Sequence, residues 1–152
     1  ALLNGEPGEF SRVFICNGML HEGDRIRPEK RLEEIDLSSI ETVFRANTFT
    51  PLLWLKHLVG SLRSEQICTL TLFSARVGSI SDNKLGGWYG YRASKAALNM
   101  LVQTASVEYA RRNGEANGLA ACRKKLICPA KSVWSAVGLF IGGKSGGASG
   151  RM

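Results

Sequence analysis

An α/β fold, with a parallel sheet covered by helices, is what this sequence predicts, and three observations carry the prediction. Two short apolar runs with β-type composition occur at 12–16 (Arg-Val-Phe-Ile-Cys) and 67–73. Between them lies a segment whose apolar residues recur at spacings of three and four, and a second such segment follows the later run. Strand, helix, strand, helix in this order argues parallel strands with covering helices. At most three such strands and two long helices are expected.

Taken in order, the first strand stops at Asn17-Gly18, a turn signal. Residues 19–37 are charged and without period, as expected of a surface connection. Ser38-Ser39-Ile40-Glu41 fits a capping box, so a helix is expected to begin there. Its stripe runs Ile40, Val43/Phe44, Asn47, Pro51, Trp54/Leu55, Leu58 and Leu62. Asn47 is polar on a buried face, which costs about 1 to 3 kcal/mol unless it is hydrogen-bonded. Pro51 lacks the amide hydrogen that would have bonded the carbonyl of residue 47. A satisfied core Asn at a helix kink and a functional Asn both fit these residues. The helix from Tyr91 is expected to bury Tyr91, Lys95, Leu98, Val102, Ala105 and Tyr109, and to offer Ala97, Leu101, Thr104 and Glu108 to a partner helix.

After Arg112 the pattern weakens. Residues 124–129 form a candidate third strand, and 138–150 hold six glycines between Lys and Ser, too little apolar surface to order themselves. The net charge of +7 is uneven: residues 1–110 carry 12 basic and 12 acidic side chains, residues 111–152 carry 8 and 1. With no interleaved aromatics, the basic end reads as solvated, and nucleic acid is not expected as a partner. The longest apolar run, 133–141, is far below the ~20 residues of a membrane span, and no leader pattern opens the sequence. A soluble, cytoplasmic chain without a membrane partner is expected. Cys16, Cys68, Cys122 and Cys128 form no Cys-x-x-Cys, and His21 and His57 are far apart, so neither a metal site nor a disulfide framework is expected. The run from Gly138 to Ser145 matches the phosphate-loop pattern Gly-x-x-x-x-Gly-Lys-Ser literally, but only seven residues follow where that loop needs a helix. It reads as a low-complexity coincidence.

Tyr91 and Lys95, four residues apart, share one face of a helix. An ammonium beside a phenol favours the phenolate and is expected to lower a Tyr pKa of about 10. Alone, Tyr-x-x-x-Lys fits a core Tyr beside a solvated Lys equally well. The wording around it narrows the choice: Ser74-Ala75-Arg76-Val77-Gly78-Ser79-Ile80, then Gly86-Gly87-Trp88-Tyr89-Gly90-Tyr91-Arg92-Ala93-Ser94-Lys95-Ala96-Ala97-Leu98-Asn99. These closely resemble the segment of short-chain dehydrogenases/reductases that runs from a central strand, through the active-site loop, into the catalytic helix. Ser-Ala-Arg-Val-Gly-Ser-Ile with Gly-Gly-Trp-Tyr resembles the C-factor-like, carbonyl-reductase-like branch.

The resemblance implies a Rossmann-like, doubly wound parallel sheet, present here in part. It implies hydride transfer between NAD or NADP and a small carbonyl or alcohol substrate. By it, Tyr91 is the general acid, Lys95 lowers its pKa and holds the nicotinamide ribose, and Asn47 holds a water through its main-chain carbonyl. Ile15-Cys16-Asn17-Gly18 resembles the family's Asn-Asn-Ala-Gly with the Gly alone in register, which places Asn17 and Gly18 beside the cofactor. The family's double serine reads Ser74-Ala75, the catalytic position falling on Ala75 and leaving Ser74 or Ser79 as substitutes. Complete members are longer and carry a Gly-x-Gly-x-x-Gly turn near their start, which is not found here. An incomplete domain is therefore expected, binding dinucleotide weakly by itself and exposing the strand at 12–16 as a sheet edge. Residues 1–112 are assigned to the central and catalytic part, 113–137 to a poorly matched further strand, and 138–152 to a disordered tail. Homo-oligomers, dimers first, are expected through the two long helices. The alternative is a catalytically silent fragment that acts only through association.

Overall fold

The computed structural model describes Phe10 and residues 12–58, 68–112 and 135–141, the last segment as backbone. Its sheet has three strands with the second in the middle. Strand β1 (Arg12–Ile15) runs parallel to β2 (Cys68–Ser74), with Arg12 opposite Thr69 and Ile15 opposite Leu72. Parallel neighbours cannot be joined by a tight turn, and the chain between them supplies the helical crossover. On the other side of β2, strand β3 (Ser135–Ile141) pairs antiparallel, Cys68 opposite Ile141 and Ser74 opposite Ser135.

This third strand departs from the expectation in two ways. It runs against its neighbour, and its residues 138–141 were expected to open a disordered tail. The reason is visible in Ala136, Val137, Leu139, Phe140 and Ile141, an apolar run with β propensity that pairs along all of β2 despite Gly138. The candidate strand at 124–129 and the remainder of the Gly-rich end lie outside the described residues.

Helix α1 (Leu37–Phe44) starts one residue before the expected box. Its cap is Asp36, whose carboxylate accepts from the Ser39 amide at 2.8 Å and from the Ser38 hydroxyl at 2.5 Å. A carboxylate there also complements the positive end of the helix dipole, so Asp36 displaces Ser38 from the cap role. The hydroxyl bonds hold the Asp36 carboxyl below its ordinary pKa. The helix then widens into one π-turn, Arg45–Phe49, and continues as α2 (Thr50–Leu58). Pro51 is the local cause: it cannot donate to the carbonyl of Asn47, and Thr50 turns both its amide and its hydroxyl onto the Arg45 carbonyl instead.

The last helix, α3 (Tyr89–Arg112), lies across the sheet. Alternation along β2 sends Leu70 and Leu72 to one face, where Leu55 and Leu58 of α2 and Leu98 and Val102 of α3 close over them. Leu70 and Val102 are wholly buried, each worth about 1.5 to 3 kcal/mol over an exposed counterpart. The expected stripe of α3 is buried from Tyr91 to Tyr109, with Ala105 half-buried. The connection at 19–37 is mostly exposed as expected, apart from buried Ile26 and Glu29. Among the described residues, no helix is long and apolar enough to cross a membrane.

Candidate active site

Three elements meet at the first two turns of α3. Tyr91, Ser94 and Lys95 project from its buried face, Asn47 and Thr48 reach it from the π-turn, and the end of β2 lies beneath. The widened turn lets two successive residues face the same neighbour. The Asn47 amide donates to Ser94 Oγ at 3.0 Å, and Thr48 Oγ1 donates to the Ser94 carbonyl at 2.9 Å. Ser94 Oγ in turn donates to the Tyr91 carbonyl at 2.8 Å.

Asn47 is wholly buried and its side chain is fully committed. Its Oδ1 accepts from the Met19 amide at 2.7 Å, and its Nδ2 donates to the Met19 carbonyl at 2.8 Å. Those bonds offset the burial cost of the amide and tie the chain just after Gly18 to the helix. What Asn47 has left for chemistry is its main-chain carbonyl, whose ordinary helical donor is replaced by Pro51.

Lys95 is also wholly buried. Its Nζ donates to the Phe73 carbonyl at 3.0 Å and lies 5.8 Å from the centroid of the Tyr91 ring. No carboxylate pairs with it among the described residues. Burial lowers its pKa to about 8. The expectation that Lys95 lowers the Tyr91 pKa is corrected: burial of the phenol is the dominant influence and raises it. Desolvation outweighs the ammonium because Tyr91 is 3% exposed and the cation sits over the ring. Tyr91 therefore keeps its proton throughout the neutral range, a state from which it can donate.

Ser74 and Ala75 are both buried and, as extended residues in sequence, point to opposite faces. Ser74 shares the face of Leu70 and Leu72, and its Oγ makes no hydrogen bond among the described residues. No hydrogen bond joins Ser79 to Tyr91 among the described residues. Ser79 is half-buried, its Oγ lies 3.3 Å from Ser81 Oγ, and it lines a cavity of about 240 Å³ with Asn83, Arg92, Ala93 and Ala96. Of those α3 residues, Ala93 lies opposite the Tyr91–Lys95 stripe and Arg92 and Ala96 flank it. Asn17 is half-buried in a trough of about 470 Å³ beside β1, with Cys16 and Trp54, while Gly18 is exposed. Among the described residues neither hydrogen-bonds to Lys95 or Tyr91, and Gly18 is tied to the site through its neighbour Met19.

Ser94 and Thr48 are the partners that reading the sequence missed. The signal for Ser94 was its place three residues after Tyr91, one helical turn, next to Lys95. Gly78 has a comparable positional role: a Cβ there would lie 2.9 Å from Lys95 backbone and Cβ atoms, so only Gly lets the loop close against the lysine. Among the described residues, no group of three or more His, Cys, Asp or Glu is placed to hold a metal ion.

No family model matches the chain. It is 34% identical over 77 residues to the C-signal protein of Myxococcus xanthus, covering 51% of this chain and 46% of that one. It is also 27% identical over 101 residues to the vibriobactin-specific 2,3-dihydro-2,3-dihydroxybenzoate dehydrogenase of Vibrio cholerae serotype O1, covering 66% of this chain and 35% of that one. Its fold matches a short-chain dehydrogenase/reductase from Burkholderia multivorans with bound NADP at TM-score 0.58 and 25% identity, covering 71% of this chain and 43% of that one. Over the part it spans, the chain is similar in sequence and fold to short-chain dehydrogenases/reductases. It spans less than half the length of the curated relatives it matches. Its sheet and helices are accordingly part of a Rossmann-like α/β fold.

The groups around Lys95 would fit the nicotinamide end of a dinucleotide. Lys95 is an ammonium with three donors, of which the Phe73 carbonyl takes one, leaving two for ribose hydroxyls. No Gly-x-Gly occurs anywhere in the 152 residues, so the pyrophosphate end has no Gly-rich turn of this chain to rest on.

Proposed function

We propose that this chain carries the proton-donating part of a nicotinamide-dependent reductase of small carbonyl compounds, or the reverse alcohol dehydrogenase. The observation behind it is the convergence of Tyr91, Lys95 and Asn47, all buried, on one corner of the sheet. A bound nicotinamide supplies or accepts the hydride. Tyr91 holds a proton at neutral pH because burial raises its pKa, and gives it to the developing alkoxide oxygen. Lys95 orients the ribose through its two free N–H donors and stabilises the tyrosinate left behind. The Asn47 carbonyl, freed by Pro51, accepts a water that carries a replacement proton towards Lys95.

The test is NADPH oxidation by a panel of small aldehydes and ketones. Turnover by the chain, falling at least ~10²-fold in Tyr91→Phe, supports the reading. Equal turnover with and without the phenol refutes it. The second reading, a silent chain that acts by association, is favoured by one specific observation: Ala75 stands where the family's catalytic serine hydroxyl is expected, while Ser74 faces the core. Turnover that appears only in Ala75→Ser would identify that reading as the native one.

A further inference from the structure

Helix α3 begins without a cap of its own. Trp88 precedes it, no acidic residue lies in its first turn, and the approach is conformationally costly. Gly86 and Gly87 have φ of 66° and 64°, and Trp88 follows with φ of 54°, a left-handed backbone that a bulky residue adopts only when its surroundings impose it. The imposing group comes from 59 to 61 residues away in sequence. The Trp88 amide donates to the Glu29 carbonyl at 2.5 Å, and the Gly90 amide is shared by the two Glu29 carboxylate oxygens at 3.3 Å each.

Glu29 is 7% exposed and has no ion-pair partner among the described residues, an expensive state for a carboxylate. The positive end of a 24-residue helix is what faces it. The glycines on either side are shaped to it. A Cβ on Gly90 would lie 2.9 Å from Glu29 Oε1, and one on Gly87 3.4 Å from the Glu29 carbonyl. Arg92 closes the turn from inside the helix, its Nε donating to the Gly87 carbonyl at 2.9 Å. So held, Trp88 sets its indole edge-on against the Tyr91 ring, centroids 6.3 Å apart at 76°.

We propose that Glu29 is a positioning residue for Tyr91: by capping α3 from a distant loop it locks the left-handed entry at Trp88, and thereby fixes the ring and first-turn backbone of the proton donor. Its catalytic meaning rests on the reductase reading above, whereas the clamp does not. The test uses the full chain as wild type, Glu29→Gln, Glu29→Ala and Gly90→Ala. Glu29→Gln keeps an acceptor oxygen; Gly90→Ala pushes the carboxylate away without touching Glu29. In Glu29→Ala and Gly90→Ala the Gly90 amide, whose acceptor is the Glu29 carboxylate, exchanges at least ~10-fold faster, while those of Leu98 and Val102 hold their rates. The Tyr91 ring-carbon resonance, displaced in the wild type by the Trp88 edge, shifts in the same two variants and not in Glu29→Gln. If the wild type turns over, kcat in Glu29→Ala falls about 10-fold with KM unchanged, and Glu29→Gln restores it. An unmoved Tyr91 resonance in both disrupting variants, or Glu29→Gln behaving as Glu29→Ala, overturns the proposal. Absence of turnover in the wild type overturns the reductase reading alone, since exchange rates and the Tyr91 resonance decide the clamp without it.

Discussion

Lys95 and Tyr91 show how the position of a residue in space reverses what its neighbours in sequence suggest. Spacing alone makes the pair a phenol acidified by an ammonium, and the pair is indeed adjacent. Burial acts on both partners, however, raising the phenol and lowering the ammonium to about 8. The consequence is measurable. Between pH 8 and 10.5 the unfolded chain keeps a proton on Lys95 that the folded chain has released, so stability rises with pH across this window. Below pH 8 both states are charged and the folded state bears the full desolvation cost. Lys95→Met is expected to be more stable than wild type at pH 7 by up to about 3 kcal/mol, with the difference shrinking towards pH 10. Above pH 10 the raised Tyr91 acts in the opposite sense, because the unfolded state loses that proton first. Urea denaturation at pH 7, 8.5 and 10 checks the sign.

At the scale of elements, the helix pair was legible in outline and misread in its detail. Stripe spacing located the helix around Asn47 and the one after Tyr91, and Pro51 marked the irregular turn. It did not say that the turn widens rather than kinks, since that depends on Thr50 finding the Arg45 carbonyl and on α3 receiving both Asn47 and Thr48. The capping box was locally plausible, and Asp36 won because its carboxylate reaches the Ser39 amide. Ser94 is the hinge of the interface. Ser94→Ala removes an acceptor from the buried Asn47 amide and a donor from the Tyr91 carbonyl, and is expected to cost about 1 to 3 kcal/mol. Ser106→Ala, which loses only a bond to Gln103 within the same helix, should cost less in the same denaturation experiment.

For the whole molecule, the outer faces of α2 and α3 remain apolar. Phe49 and Leu53, one turn apart, are half exposed, and Met100 and Val107 lie seven residues apart on α3 with 66% and 41% exposure. Association through these helices, expected from the resemblance, is tested by sedimentation. A concentration-dependent dimer that becomes monomeric in Met100→Glu supports it, and a monomer at all concentrations removes it. The order of strands β1 and β2 and their parallel pairing were legible, because an intervening helical crossover allows little else. The direction of β3 was not, since an apolar run of this length pairs with either polarity.

By itself the sequence determined the alternation of strand and helix, the Tyr91–Lys95 face and the family wording around it, all of which rest on spacing within one element. Tertiary structure alone decided the protonation preferences of that face, the bonding of Asn47 and Thr48 to Ser94, and the capture of α3 by Glu29. Each of these depends on burial or on contact between residues distant in the chain, and desolvation and hydrogen bonding act through space, where local pattern carries no information.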